Sequence, residues 1–81
     1  MGRICVIGSI NMDMVTCTPR VPAMGETIAG EGFSMHHGGK GANQAVAAAR
    51  LGGRVSMIGC VGDDLFGSAM CSAFASDGMD V

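Results

Sequence analysis

Three polar clusters in this 81-residue sequence could do chemistry: Asn11 with Asp13, the run Gly38-Gly39-Lys40-Gly41-Ala42-Asn43, and Asp63-Asp64. Asn11 and Asp13 stand two apart just after a short apolar run, and in extended chain that spacing sends both side chains to one side. A carboxylate that accepts from two hydroxyls, beside an amide that both donates and accepts, is a reader of polyols. The same pair also suits a turn in which Asn and Asp bond their own backbone. Spacing alone does not choose between the two.

The glycine cluster opens a helical pattern. Glycine at this density lets backbone approach a ligand closely, and the free N–H groups of a helix start attract negative charge or oxygen lone pairs. Lys40 adds a mobile cation. The run is not a Walker A loop, because Ser34 stands where its first Gly should be and Gly41 replaces the Ser or Thr that would meet Mg²⁺. Nor is it a dinucleotide fingerprint, since Gln44 occupies the place of the third glycine. A tight turn that merely starts a helix accounts for one or two glycines, not for four with Lys and Asn. Asp63-Asp64 suits helix capping better than substrate contact. His36 and His37 are adjacent in a β pattern, so they point to opposite faces and cannot chelate together; they are expected as exposed residues, and no metal site is expected in the chain.

The elements that must position these clusters follow from the pattern. Ile4 to Gly8 is a continuous apolar run, as in a parallel strand covered on both faces. Met12 to Thr18 alternates and is β-branched, and Pro19, Pro22 and Gly25 mark a loop. Glu26–Ile28 and Gly32–His36 read as two further short strands, better suited to a flap than to a core. A helix is predicted over Ala42–Leu51, with small residues Ala42, Ala45, Val46 and Ala49 on one stripe that lets it lie close to a sheet. Gly52-Gly53 ends it. Val55–Gly59 is the next strand. A second helix follows, with Leu65, Phe66, Ala69, Met70, Ala73 and Phe74 facing inward, Asp63 as N-cap, Asp64 in the first turn and Gly78 past its end. A third sheet strand would begin at Val81. The order β, β-rich insertion, α, β, α is the start of a layered α/β fold.

Composition narrows the function. The chain is 48% apolar, only 15% charged and carries a net charge of −2, which excludes disorder and leaves no basic footprint for nucleic acid. With no Trp or Tyr and only three Phe, base-stacking platforms are also missing. No stretch approaches the length of a membrane span, the opening apolar run is too short for a secretory signal, and Val6 stands where a myristoylation site needs Ser or Thr. The four cysteines show no CxxC pair and sit among apolar neighbours, so buried reduced thiols in a cytoplasmic protein are expected. A core built from alanines and eight methionines is thin for a self-standing domain, which suggests a segment of a larger one.

At these residues the chain resembles the PfkB (ribokinase-like) carbohydrate kinase family. The segment Gly38-Gly39-Lys40-Gly41-Ala42-Asn43-Gln44-Ala45, then Gly52 after six residues and Gly62 after nine more, follows that family's N-terminal signature. So do Gly8-Ser9-Ile10-Asn11-Met12-Asp13, the Pro22-x-x-Gly25-Glu26-Thr27 turn, Ala45 to Gly52, and Val61-Gly62-Asp63-Asp64-x-Phe66-Gly67. Lys40 in its frame resembles the ribose-phosphorylating branch.

The resemblance implies an α/β fold: residues 1–81 as the N-terminal part of a three-layer α/β/α sandwich, with a small β lid formed by about 12–37 and the nucleotide-binding part absent. It implies phosphorylation of D-ribose at O5 by ATP, with Mg²⁺ and a monovalent cation (K⁺) bound elsewhere in the full-length protein, and a homodimer formed through the lid. Asn11, Met12 and Asp13 would hold the sugar, and Gly39, Lys40, Gly41, Ala42 and Asn43 would line the same pocket. The Asp that serves as general base would lie downstream, so this chain holds no catalytic residue and alone would not turn over. Other readings are 2-deoxyribose, another pentose or a nucleoside as substrate, a non-catalytic sugar-binding or dimerising fragment, and the start of a Rossmann oxidoreductase.

Overall fold

The computed structural model describes residues 2–81. Two strands, β1 (Arg3–Ile7) and β4 (Arg54–Ile58), pair in parallel with Ile4 opposite Val55 and Val6 opposite Met57. Between them the chain makes an antiparallel hairpin, β2 (Asn11–Cys17) with β3 (Glu31–Gly38), and then α1 (Lys40–Arg50). After β4 comes α2 (Leu65–Ser76). Asp80 then bridges Ser56 in parallel, with Met57 N–H donating to the Asp80 carbonyl at 2.8 Å, so the next strand starts on the free edge of β4.

Both helices lie on one face of the β1–β4 sheet. Val55 and Met57 alternate with exposed or half-buried neighbours and are buried in one cluster with Ala42 and Ala45 of α1 and Met70 and Phe74 of α2. Alanine at 42 and 45 brings α1 close enough for the strand side chains to fill the gap, and Phe74, 2% exposed, plugs the space between helix and sheet. Removing such a ring from water stabilises the fold by about 1.5–3 kcal/mol. The opposite face stays open: Ile7 is 78% and Ile58 55% exposed. Among the described residues both helices pack on the same face, as crossovers of the same hand place them.

Several local expectations need correction. Helix α1 starts at Lys40, two residues earlier than the apolar stripe indicates, because Gly39 (φ 98°) takes the turn and the Ser9 carbonyl accepts from Ala42 N–H at 3.0 Å in place of a side-chain cap. The cap of α2 is Asp64, not Asp63: its Oδ1 accepts from Gly67 N–H at 2.8 Å. Leu65 and Phe66 at the start of α2 are exposed instead of facing inward. Residues 26–28 form no strand. Glu26 is drawn instead into a clamp, accepting from Arg20 Nη1 and Nη2 at 2.6 and 2.8 Å and from Ala23 N–H at 2.9 Å. The four cysteines are free, as expected, but exposed rather than buried. No helix among the described residues is long and apolar enough to cross a membrane.

Candidate functional site

Parallel pairing of β1 and β4 puts their C-terminal ends side by side, with Gly8 N–H donating to the Ile58 carbonyl at 3.2 Å. The loops that leave those ends are therefore neighbours. This is where layered α/β proteins hold ligands. Here they enclose a cleft of ≈ 560 Å³ lined by Asn11, Met12 and Asp13 from the first loop and the start of β2, and by Cys60, Gly62 and Asp64 from the second.

Within β2, Asn11 and Asp13 share a face, and the register places Asn11 opposite Gly38 and Asp13 opposite His36. Gly38 is buried and has no side chain for a reason visible in the packing. A Cβ there would run into the Asp13 carboxylate, which leans over the bare backbone of the glycine. The glycine bend is pressed against the first loop in the same way. A Cβ on Gly39 would meet the Ser9 carbonyl oxygen at 2.5 Å, and one on Gly41 would meet the Gly8 Cα at 2.8 Å and Ser9 N at 2.9 Å. Glycine is thus required at 39 and 41 to seat the start of α1 on the loop that carries Asn11 and Asp13, and at 38 it leaves room for the Asp13 carboxylate.

The remaining site residues are distributed differently. Ala42 and Asn43 line a second depression of ≈ 730 Å³, between α1 and α2 and beside the end of β3, with His36, His37 and Phe74 among its walls. Lys40 is exposed and lines neither cavity. Asn11, Met12 and Asp13 are therefore brought together, Gly39 and Gly41 lie against their loop, and Asn43 faces the neighbouring depression. His36 and His37 are exposed; they fall on opposite faces of β3, His37 stacking at a tilt on Phe74 with ring centroids 6.4 Å apart. Asp64 is both cap and cleft wall. Sequence marks Gly62 and Gly67 as motif residues but does not place them, or Cys60, in this cleft; the parallel pairing does, because it forces the loop after β4 to lie beside the loop after β1.

Residues 1–81 match the pfkB family carbohydrate kinases. Ribokinase of Bacillus subtilis (strain 168) is 52% identical over 79 residues, which is 98% of this chain and 27% of that protein. The crystal structure of ribokinase from Cryptococcus neoformans var. grubii serotype A in complex with ADP superposes with a TM-score of 0.87 at 40% identity, covering 100% of this chain and 25% of that one. Arabidopsis thaliana ribokinase complexed with ribose and ATP gives 0.82 at 33% identity over 98% of this chain and 26% of its own. The chain spans about a quarter of the length of these proteins.

Proposed function

The chain belongs to the pfkB carbohydrate kinase family, and from that premise we propose that it forms the sugar-holding side and the lid of a kinase that transfers the γ-phosphoryl group of ATP to O5 of D-ribose. The observation that carries this reading is the shared face of Asn11 and Asp13 beside bare Gly38, at the C-terminal ends of two parallel strands. The Asp13 carboxylate accepts from sugar hydroxyls, and the Asn11 amide donates to one and accepts from another. Gly39 and Gly41 bring backbone up to the same loop, while Ala42 and Asn43 line the neighbouring depression. The β2–β3 hairpin closes over the bound sugar and excludes water, so that ATP is not spent on hydrolysis.

Phosphoryl transfer of this kind is mostly positioning and charge stabilisation. The part supplied here is the positioning of the acceptor. In this reading ATP, Mg²⁺, K⁺ and the general base are held by other residues of the full-length protein. The other face of the hairpin, with Met14, Phe33 and Met35 exposed, is apolar and supports a homodimer formed lid to lid. Free thiols support a reducing compartment, the cytoplasm.

The test is ribose-dependent ADP formation by the intact protein. Asp13→Ala is expected to lower kcat/KM roughly 100-fold, since it removes charge-assisted hydrogen bonds to two hydroxyls. An intact protein that makes no ADP in response to ribose, or an Asp13→Ala variant as active as its parent, overturns the reading.

A further inference from the structure

We infer that His36 is a further specificity-determining residue, reading a sugar hydroxyl from the lid beside Asp13; this rests on the sugar-kinase reading above. The register fixes its face. His36 is the direct cross-strand partner of Asp13, and Ser34 is the partner of Val15, so Asn11, Asp13, Ser34 and His36 form one polar row on the hairpin. Partners of this kind hold their Cβ atoms about 4.5–5.5 Å apart, within reach of one small molecule.

Two features make the imidazole more than a solvated surface group. Its Nε2 shares a hydrogen bond with Ser34 Oγ at 3.0 Å, which fixes the ring and leaves Nδ1 for a ligand. His36 also lines the depression to which Ala42 and Asn43 belong. It is thus both the neighbour of Asp13 across the ladder and a wall of the cavity that Asn43 faces, and so links the two groups of polar residues that are otherwise apart. Asp13 leans towards Gly38 and His36 towards Ser34, so a hydroxyl-bearing ring laid on this face meets a carboxylate at one end and an imidazole nitrogen at the other.

The experiment is steady-state kinetics of the intact protein, its His36→Ala and Ser34→Ala variants and the Asp13→Ala control, on ribose and on ribose analogues each lacking one hydroxyl. His36→Ala is expected to raise KM for ribose about 3–10-fold, the worth of one hydrogen bond, with kcat changed less than about twofold. For one deoxy analogue the parent and His36→Ala should have the same KM, because the hydroxyl that His36 reads is already gone. Ser34→Ala should show the same selectivity with a smaller rise. An unchanged KM for ribose, or a KM raised equally for every analogue, overturns the inference while leaving the kinase reading intact if Asp13→Ala still fails. A parent protein without sugar-dependent turnover overturns both.

Discussion

The body of the molecule and its hairpin are stabilised by different means. Among the described residues all seven buried apolar side chains belong to α1, β4, α2 and the segment after it, whereas every residue of β2 and β3 except Gly38 is exposed or half-buried. The body is held by side chains withdrawn from water. The hairpin is held by its ladder of backbone hydrogen bonds and by its attachment at Met12, His37 and the glycine bend. A two-stranded sheet with no buried face opens at lower free energy than a packed core. A rigid platform joined to a soft cover is what a site needs if a ligand is to enter and then be enclosed.

The contrast is sharpest between two phenylalanines. Phe74 is 2% exposed and Phe33 66% exposed. Phe74→Ala in the intact protein should cost about 3–5 kcal/mol in denaturant unfolding, the usual cost of emptying an aromatic site in a core. Phe33→Ala should change the same midpoint by less than about 0.5 kcal/mol. If the apolar face of the hairpin joins two copies, the Phe33 change instead weakens self-association, read by sedimentation across a dilution series. Equal destabilisation by the two changes would remove the distinction between body and hairpin.

The junction between the regions is tested by Gly41→Ala. The added methyl would meet backbone on its far side, at 2.8 Å from Gly8 Cα and 2.9 Å from Ser9 N, where no flexible side chain can give way. Overpacking of this kind costs about 1–3 kcal/mol. The start of α1 must also shift away from the loop bearing Asn11 and Asp13. A raised KM for ribose together with a lowered unfolding midpoint is the expected pair of results. The same lowering of the midpoint with KM untouched would show that the bend serves the body alone.

The same division explains what could be read from sequence. The body declared itself in part: the small-residue stripe at Ala42 and Ala45 and the buried pair Met70 and Phe74 follow from hydrophobic period, because burial is what the period records, whereas the apolar run Ile4–Ile7 forms the expected strand with Ile4 and Ile7 exposed. That Asn11 and Asp13 share a face was legible from a spacing of two. Their separation from Asn43 was not, since helix rotation about the glycine bend is set by the contacts of Gly39 and Gly41 with Ser9 and Gly8, a tertiary matter. In the hairpin, where burial is absent, pattern misled: Glu26–Ile28 has strand-like residues, yet Glu26 has a stronger local partner in Arg20. Asp64 outcompetes Asp63 as cap because the chain there is extended at Asp64, φ −150°, a geometry that side-chain identity does not reveal.

The smallest effect belongs to that Arg20–Glu26 clamp at the tip of the hairpin. The guanidinium, bonded to both oxygens of Glu26, holds its carboxyl below the usual carboxylate value, and the Ala23 N–H adds to the same lowering. A carboxyl whose folded-state value is depressed contributes order above its ordinary pKa and loses that contribution as pH falls through the depressed one. The pair is solvent-exposed, so global stability should barely respond. The local response should be clear: acidification below the ordinary carboxylate range should move the Ala23 and Glu26 amide resonances while those of Val55 and Met57 stay fixed. Glu26→Gln should abolish that transition and leave the tip in its acid form at neutral pH. If β4 amides titrate together with Ala23, the hairpin is coupled rigidly to the body, and a lid that moves independently of its platform is no longer tenable.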